Sequence, residues 1–169
     1  MPNERYAYIL LSKEKWWNRL CEQNRTSSHP HSFVRRNRVG PIRTQKLLFY
    51  VNKPAMQIRG AADFIERLSG DYKGLWDTHG VETCFETFAE YVVFLQGRKT
   101  ATFIRFTNFR ELINPISMKV VSKVLGVLRM PPMGKYLNRE TANQLTVYRR
   151  RANWRSLTQK VLLKPESEI

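Results

Sequence analysis

Cysteine and long apolar runs are both scarce in this chain of 169 residues. The two cysteines, Cys21 and Cys84, lie far apart, so we expect buried thiols rather than a disulfide framework. No apolar run approaches the roughly 20 residues that cross a bilayer. The run at residues 6–11 is too short for a signal-peptide core, and no small-residue cleavage site follows it. The sequence therefore predicts a cytoplasmic protein with no membrane partner.

Signatures of catalysis and metal binding are also missing. The chain has no phosphate-cradling glycine-rich loop and no spacing typical of a Ser-His-Asp triad. His29 and His31 flank Pro30, but no cysteine pair or carboxylate cluster completes a set of metal ligands. We therefore predict no catalytic residue, no metal and no cofactor.

Acidic residues are few, with 14 Asp and Glu against 29 Lys and Arg and a net charge of +15. Residues 1–54 carry a net charge of +8, residues 55–97 carry −4, and residues 98–169 carry +11. If the fold brings the two ends together, one face becomes basic and can follow a phosphate backbone. A generally basic surface is the alternative. We expect a polyanion partner, with RNA favoured and DNA possible, while oligomeric state has no signature in the sequence.

Short apolar segments alternate with helical patterns along the chain. Strands are predicted at residues 6–11, 47–51, 57–64 and 100–109 from their apolar, aromatic and β-branched residues. Helices are predicted after the capping residues Ser12, Thr87, Ser117 and Asn138, with a helical turn at residues 71–79. The irregular order and the absence of repeats predict an α+β domain around a small, strongly curved sheet or barrel.

The stretch from Asn24 to Pro41 is polar, strongly basic and punctuated by proline and glycine, which predicts a loop. In the helix before it, Trp16, Leu20 and Cys21 are spaced for a buried stripe. Adjacent helical side chains point about 100° apart, so we expect Trp17 to be partly exposed.

Several of these segments resemble the ASCH and EVE domains of the PUA-like superfamily. Residues 8–12 followed by an amphipathic helix and then Phe33-Val34-Arg35-Arg36 are similar to the start of an ASCH domain. The paired strands of ASCH and EVE domains are similar to residues 46–51 and 58–64. Later elements of these domains are similar to residues 75–80 and 97–106. The match is to archaeal members in particular, and it depends on the order of elements rather than on one motif.

The resemblance implies a small mixed β-barrel of PUA-like type, flanked by helices and with a cleft beside the first helix. Members of the superfamily bind RNA, or hold a modified base between aromatic walls. On this basis residues 1–147 form the PUA-like domain, and residues 148–169 form a basic C-terminal extension. The run 149–155, which contains three consecutive arginines and a tryptophan, is either a solvated tail or an arm that docks on nucleic acid.

Aromatic and basic residues make up the predicted RNA site. Trp16, Trp17, Trp76, Tyr72 and Tyr136 are candidate stacking faces, because RNA readers stack splayed bases on aromatic rings. The competing interpretation places these tryptophans in the core. The predicted nucleic-acid-binding residues are Trp17, Arg35, Arg36, Lys46, Arg59, Trp76, Arg98, Lys135, Tyr136 and Arg139.

Two other functions are open. Some ASCH proteins are amidohydrolases on acetylated cytidine, and the resemblance implies that they use a Lys-Thr pair after the first helix and a distant Glu. The matching place here reads Asn24-Arg25-Thr26, where a permanently protonated arginine replaces the lysine, and Glu66 is the candidate carboxylate. The third possibility is a protein-interaction module whose basic face meets an acidic partner. Competition separates the two, because added RNA would displace an RNA ligand but would leave an apolar protein interface intact.

Overall fold

The computed structural model describes residues 4–27 and 30–145. Six strands form one mixed sheet: β1 (Ala7–Ser12), β2 (His31–Arg35), β3 (Lys46–Val51), β4 (Gln57–Asp71), β5 (Thr100–Ser117) and β6 (Lys135–Leu137). The helices are α1 (Glu14–Thr26), α2 (Tyr72–His79), α3 (Phe88–Leu95) and α4 (Met118–Leu125), with a 3₁₀ turn at Gly80–Glu82 and helical residues at 139–145. No helix within these ranges is long and apolar enough to cross a membrane.

The sheet has the order β2-β5-β4-β3-β1-β6, in which β1 and β3 run parallel and the other neighbours are antiparallel. Although three strands separate β2 from β1, the Nη2 atom of Arg35 at the end of β2 donates to the Leu11 carbonyl at 2.8 Å. The sheet therefore curls until these two strand ends meet.

The alternation of side chains divides the sheet into two buried faces. Along β1, Tyr8 and Leu10 pack with α1, whereas Ile9 and Leu11 pack with α4 and the helical residues that end at Leu145. A third cluster, mostly aromatic, joins α2 and α3 to the far end of the hairpin formed by β4 and β5. Helices therefore cover both faces of the sheet.

The predicted α+β class is confirmed, but the barrel is not. Within the described residues no ladder joins β2 to β1 or to β6, so the sheet remains open along the seam between β2 and β1. The predicted extension at residues 148–169 lies outside the described residues.

Three of the predicted capping residues begin helices. Thr87 Oγ1 accepts from the Glu90 amide at 3.1 Å, Ser117 Oγ from the Val120 amide at 3.4 Å, and Asn138 Oδ1 from the Thr141 amide at 2.8 Å. Ser12 is the exception. Its hydroxyl donates to the Lys13 carbonyl at 3.0 Å, and α1 begins without a side-chain cap.

The loop predicted from Asn24 to Pro41 is wrong in part, because α1 extends to Thr26 and β2 occupies His31–Arg35. His31 and Ser32 are polar but buried, and each has a polar partner. Pairing of β2 with β5 along its whole length overrides its polar composition. Strands β4 and β5 are also longer than predicted, since they pair with each other across three irregularities in register.

Candidate nucleic-acid interface

A cleft larger than the two pockets beside α1 lies at the open seam, where β1 ends, α1 begins and β2 leaves the sheet. Its volume is about 670 Å³. The lining residues are Leu11, Lys13, Lys15, Trp16, Phe33, Val34, Arg35, Arg36, Asn37, Val39, Asn52, Phe94, Met130 and Pro132. Its position beside the first helix agrees with the expectation from the resemblance.

Positive charge distinguishes this cleft from the others. Lys13, Lys15, Arg35 and Arg36 line it, and no Asp or Glu does. A pocket beside the middle and end of α1, of about 480 Å³, instead balances its arginines with Glu22 and Glu111. The seam therefore has four cations and no carboxylate in its lining, and its potential favours an anion.

Arg35 contributes a charge with no counterion. Its guanidinium lies 5.1 Å from the centre of the Phe33 ring and donates to the Leu11 carbonyl. Its Nε atom is shielded from solvent without a hydrogen-bond partner, and no carboxylate pairs with it among the described residues. Burial lowers the pKa of Arg35, and the nearby Tyr8 hydroxyl opposes that shift. An arginine nevertheless stays protonated, so this side chain would gain from an anionic ligand.

Arg36 and Arg98 lie on either side of Asn37 at the rim. The Arg36 guanidinium sits 4.4 Å from the centre of the Phe94 ring and donates to the Phe94 carbonyl. Arg98 donates to Asn37 Oδ1 at 2.6 Å. Three of the predicted arginines, Arg35 included, thus lie in or beside one cleft.

Aromatic side chains form part of the cleft wall. Trp16 is half-buried and packs edge-on against Phe85 and Phe94, with ring centres 5.0 and 5.7 Å apart. The Lys15 ammonium lies 4.8 Å from the Trp16 ring. The wall therefore combines a partly accessible indole with cations within reach of a phosphate.

The prediction that Trp17 is the exposed tryptophan is wrong. Trp17 is only 4% exposed, and its ring packs 5.4 Å from the Phe109 ring. A Cβ added at Gly60 would lie 2.5 Å from this indole, so the glycine makes room for it. The buried stripe of α1 is Trp17, Leu20 and Cys21, which leaves Trp16 to face the cleft.

Trp76 lies away from the cleft. It stacks on Tyr91, with ring centres 4.9 Å apart and an angle of 20° between the planes, and a Cβ at Gly80 would clash with it. Its place in the aromatic cluster of α2 and α3 indicates a packing role.

Lys135, Tyr136 and Arg139 form a second group at the β6 edge. Tyr136 packs edge-on against Tyr8 at 5.0 Å, and its hydroxyl accepts from the Ile42 amide at 2.9 Å. Arg139 lies 4.6 Å from the centre of the Tyr6 ring. These residues do not line the cleft.

Lys46 and Arg59 are separate from both groups. Lys46 forms an ion pair with Asp63 at 2.5 Å. Arg59 lines the pocket that contains Glu22 and Glu111. Neither position adds to the charge of the cleft.

The predicted nucleic-acid-binding residues did not include Lys13, Lys15 or Trp16, although Trp16 was among the candidate stacking faces. The sequence did carry a signal for them, since Lys13 and Lys15 come just before the tryptophan pair at the start of a helix. The sequence does not show how α1 is rotated about its axis, and that rotation places these three residues at the seam.

The residues suggested for an amidohydrolase do not converge. Arg25 and Thr26 line a polar pocket of about 440 Å³, and the Arg25 guanidinium lies 3.4 Å from Glu111. Glu66 does not line that pocket and pairs with Arg105 at 2.7 Å.

Comparison with known proteins adds evidence on the fold. No family model matches the chain, and no curated protein matches it. A solved structure of the ASCH protein from Zymomonas mobilis aligns with a TM-score of 0.69 at 18% identity, over 85% of this chain and 95% of that one. Its serine-to-alanine variant aligns with the same score at 16% identity, over 88% and 99%.

The chain has the fold of an ASCH domain. At this level of identity the match concerns architecture alone. The resemblance to an ASCH domain is supported at the level of the fold, whereas the particular affinity to archaeal members is not. A tyrosine-to-phenylalanine variant of the same protein aligns equally well, over 85% of this chain and 98% of its own.

Proposed function

We propose that this protein binds RNA, and that the cleft at the open seam receives a nucleotide from a single-stranded or unpaired part of it. The observation that carries the proposal is the cleft's lining, which includes four cations and aromatic rings but no carboxylate. A nucleotide presents the complementary pair of groups, a phosphate and a flat base.

The charge of Arg35 supports an anionic ligand. An uncompensated cation held away from water destabilises the protein, and a bound phosphate would offset that cost through charge-assisted hydrogen bonds. Arg35 retains an unused donor at Nε, and Lys13, Lys15 and Arg36 surround the same space.

The aromatic wall supports a base rather than a simple anion. Stacking of a base on an aromatic side chain contributes on the order of 1–3 kcal/mol. Trp16, Phe33 and Phe94 line the cleft, so a base can stack there while its phosphate reaches Arg35 or Lys15. RNA proteins commonly recognise splayed bases in this manner, which favours unpaired RNA over duplex DNA.

No specific observation favours the amidohydrolase alternative. Its three candidate residues lie in different surroundings, and Arg25 cannot act as a base. The proposed activity is therefore binding without chemistry.

The proposal predicts that Lys13→Ala combined with Lys15→Ala weakens RNA binding on the order of tenfold. Each lost phosphate contact lowers the salt slope of single-strand binding by about 0.7, so the double variant should lower it by about 1.4. Both lysines are exposed, so the variant should fold normally. The measurement is a fluorescence-anisotropy titration with single-stranded RNA, structured RNA and duplex DNA at several salt concentrations.

Lys73→Ala with Arg110→Ala is the matched control, because it removes two exposed cations that do not line the cleft. An equal loss of affinity in the two variants would mean that net charge, and not the cleft, attracts RNA. Equal and weak binding to all three nucleic acids that vanishes at moderate salt would contradict the proposal.

A further inference from the structure

A second basic surface lies beside the β6 edge, outside the cleft. We call it the basic strip and define it by three cations and two tyrosines, namely Arg5, Tyr6, Lys135, Tyr136 and Arg139. Arg5 and Arg139 are exposed, and Lys135 is half-buried.

Both walls of the cleft lead to this strip. One wall contains Met130 and Pro132, and the chain then continues to Lys135 and Tyr136. The other contains residues 36, 37 and 39, after which the Ile42 amide donates to the Tyr136 hydroxyl. Strand β1 spans the same interval from Leu11 at the cleft to Ala7 opposite Leu137, roughly 13 Å at 3.3 Å per residue.

The charge along this path has one sign. Residues 36–45 and 126–139 contain six Lys and Arg and no Asp or Glu. Glu4 precedes Arg5 and Glu140 follows Arg139 in the sequence, but neither carboxylate forms an ion pair with its arginine among the described residues. The two segments that connect the cleft with the strip are therefore basic and free of carboxylates.

Two arginines of the strip lie over tyrosine rings. The guanidinium carbon of Arg5 lies 5.1 Å from the centre of the Tyr136 ring, and that of Arg139 lies 4.6 Å from Tyr6. A guanidinium in such a cation–π contact keeps its N–H donors. It can bind a phosphate with two parallel hydrogen bonds, and its plane can stack on an unpaired base.

We infer that the basic strip is a second subsite for the RNA strand whose nucleotide enters the cleft, so that the ligand is a polynucleotide and not a free nucleotide. The inference rests on the proposed function of the cleft. An RNA strand that places one nucleotide at the seam continues along the basic strip, where the phosphate backbone contacts Arg5 and Arg139. A protein partner of acidic character would pair its carboxylates with the same guanidinium groups but would offer no base to stack on them.

The test compares two labelled probes, a uridine dinucleotide and a uridine dodecanucleotide, on the full chain. The variant is Arg5→Ala with Arg139→Ala, and the control is Lys73→Ala with Arg110→Ala. We expect the strip variant to bind the dodecanucleotide on the order of tenfold more weakly, with a salt slope lower by about 1.4, and to bind the dinucleotide as the wild type does. Arg5→Lys with Arg139→Lys should restore the slope but only part of the affinity, because lysine keeps the charge and loses the plane.

The remaining outcomes separate the two proposals. If the strip variant binds the dodecanucleotide like the wild type, or loses no more than the control, the strip is not a subsite. The cleft is then judged separately by dinucleotide binding and its loss in the Lys13 and Lys15 variant. If polyaspartate binds as tightly and suffers the same loss, the nucleic-acid assignment of the strip is overturned. If the wild type binds neither probe, the proposed function fails and the second subsite with it.

Discussion

At the scale of single residues, Trp16 and Trp76 are half-buried indoles with different surroundings. Trp16 borders the cleft and has Lys15 and Arg19 over its ring at 4.8 and 5.2 Å. Trp76 stacks on Tyr91 within an aromatic cluster that holds α2 against α3. The first environment is suited to a ligand, and the second to packing.

This contrast gives a paired prediction. Trp16→Leu should keep most of the apolar contact and lose the stacking face, which lowers RNA affinity by roughly ten- to a hundredfold with little change in melting temperature. Trp76→Ala should lower the free energy of unfolding by about 2 kcal/mol and leave affinity unchanged, because it removes packing only. Thermal unfolding and anisotropy on both variants make the comparison. Lost affinity in the Trp76 variant at unchanged stability would reverse the assignment.

The rotation of α1 shows where inference from sequence reached its limit. Trp16 and Trp17 both fit an apolar stripe with Leu20 and Cys21, so periodicity alone does not choose between them. Packing chooses, because the curved sheet presents Gly60 at the position where an indole must fit. That contact joins residues 43 positions apart in the chain, so no local pattern encodes it.

At the scale of elements, β2 depends on a buried carboxylate. Glu82, in the turn after α2, accepts hydrogen bonds from Ser32 on β2 at 3.0 Å and His79 at 2.9 Å. It also accepts three bonds from Arg105 on β5, whose Nη1 atom donates to Glu66. Caps and apolar strands were predictable because they are local, whereas the polar strand β2 was missed because distant residues satisfy its buried groups.

The same carboxylate makes stability depend on pH. Burial alone would raise the pKa of Glu82, but hydrogen bonds from Arg105, His79 and Ser32 together lower it below 4.5. A lowered pKa in the folded state means that the contribution is complete above the unfolded value and is lost as pH falls through the folded one. Glu82→Gln should cost on the order of 3 kcal/mol at neutral pH and flatten the acid limb of the stability curve.

Urea unfolding at neutral pH and at several values below 4.5 tests this prediction. Glu86→Gln is the control, since Glu86 is 77% exposed and its ion pair with Arg19 is long, at 3.9 Å. If both variants keep the wild-type acid limb, Glu82 does not govern it.

At the scale of the whole molecule, the two basic ends of the chain are far apart in the sequence but lie side by side in the fold. The basic N-terminal part supplies Lys13, Lys15, Arg35 and Arg36 to the cleft, and the basic C-terminal part supplies Lys135 and Arg139 to the strip. The segment with net negative charge, residues 55–97, includes α2 and α3. The uneven composition indicated a basic face, but its location depended on the pairing of β1 with β6.

The predicted domain boundary can be tested at this scale. Leu145 is buried against α4 and β1, so a chain that ends at residue 147 retains the described core. Residues 148–169 carry six Lys and Arg against two Glu. Their removal should leave the melting temperature unchanged and weaken RNA binding with a shallower salt slope. A large loss of stability would move the domain boundary beyond residue 147.

The open seam also determines how accommodating the cleft can be. The ends of β1 and β2 are linked by one side-chain hydrogen bond, from Arg35 to the Leu11 carbonyl, rather than by a ladder. Breaking that bond costs roughly 1.5–3 kcal/mol, as for one hydrogen bond to a charged group, and disrupts no strand pairing. If the cleft receives a base as proposed, a ligand that supplies its own acceptor to Arg35 would replace the bond. Discrimination among bases would then depend on the aromatic wall and on the packing of Phe33, and not on strand pairing at the entrance.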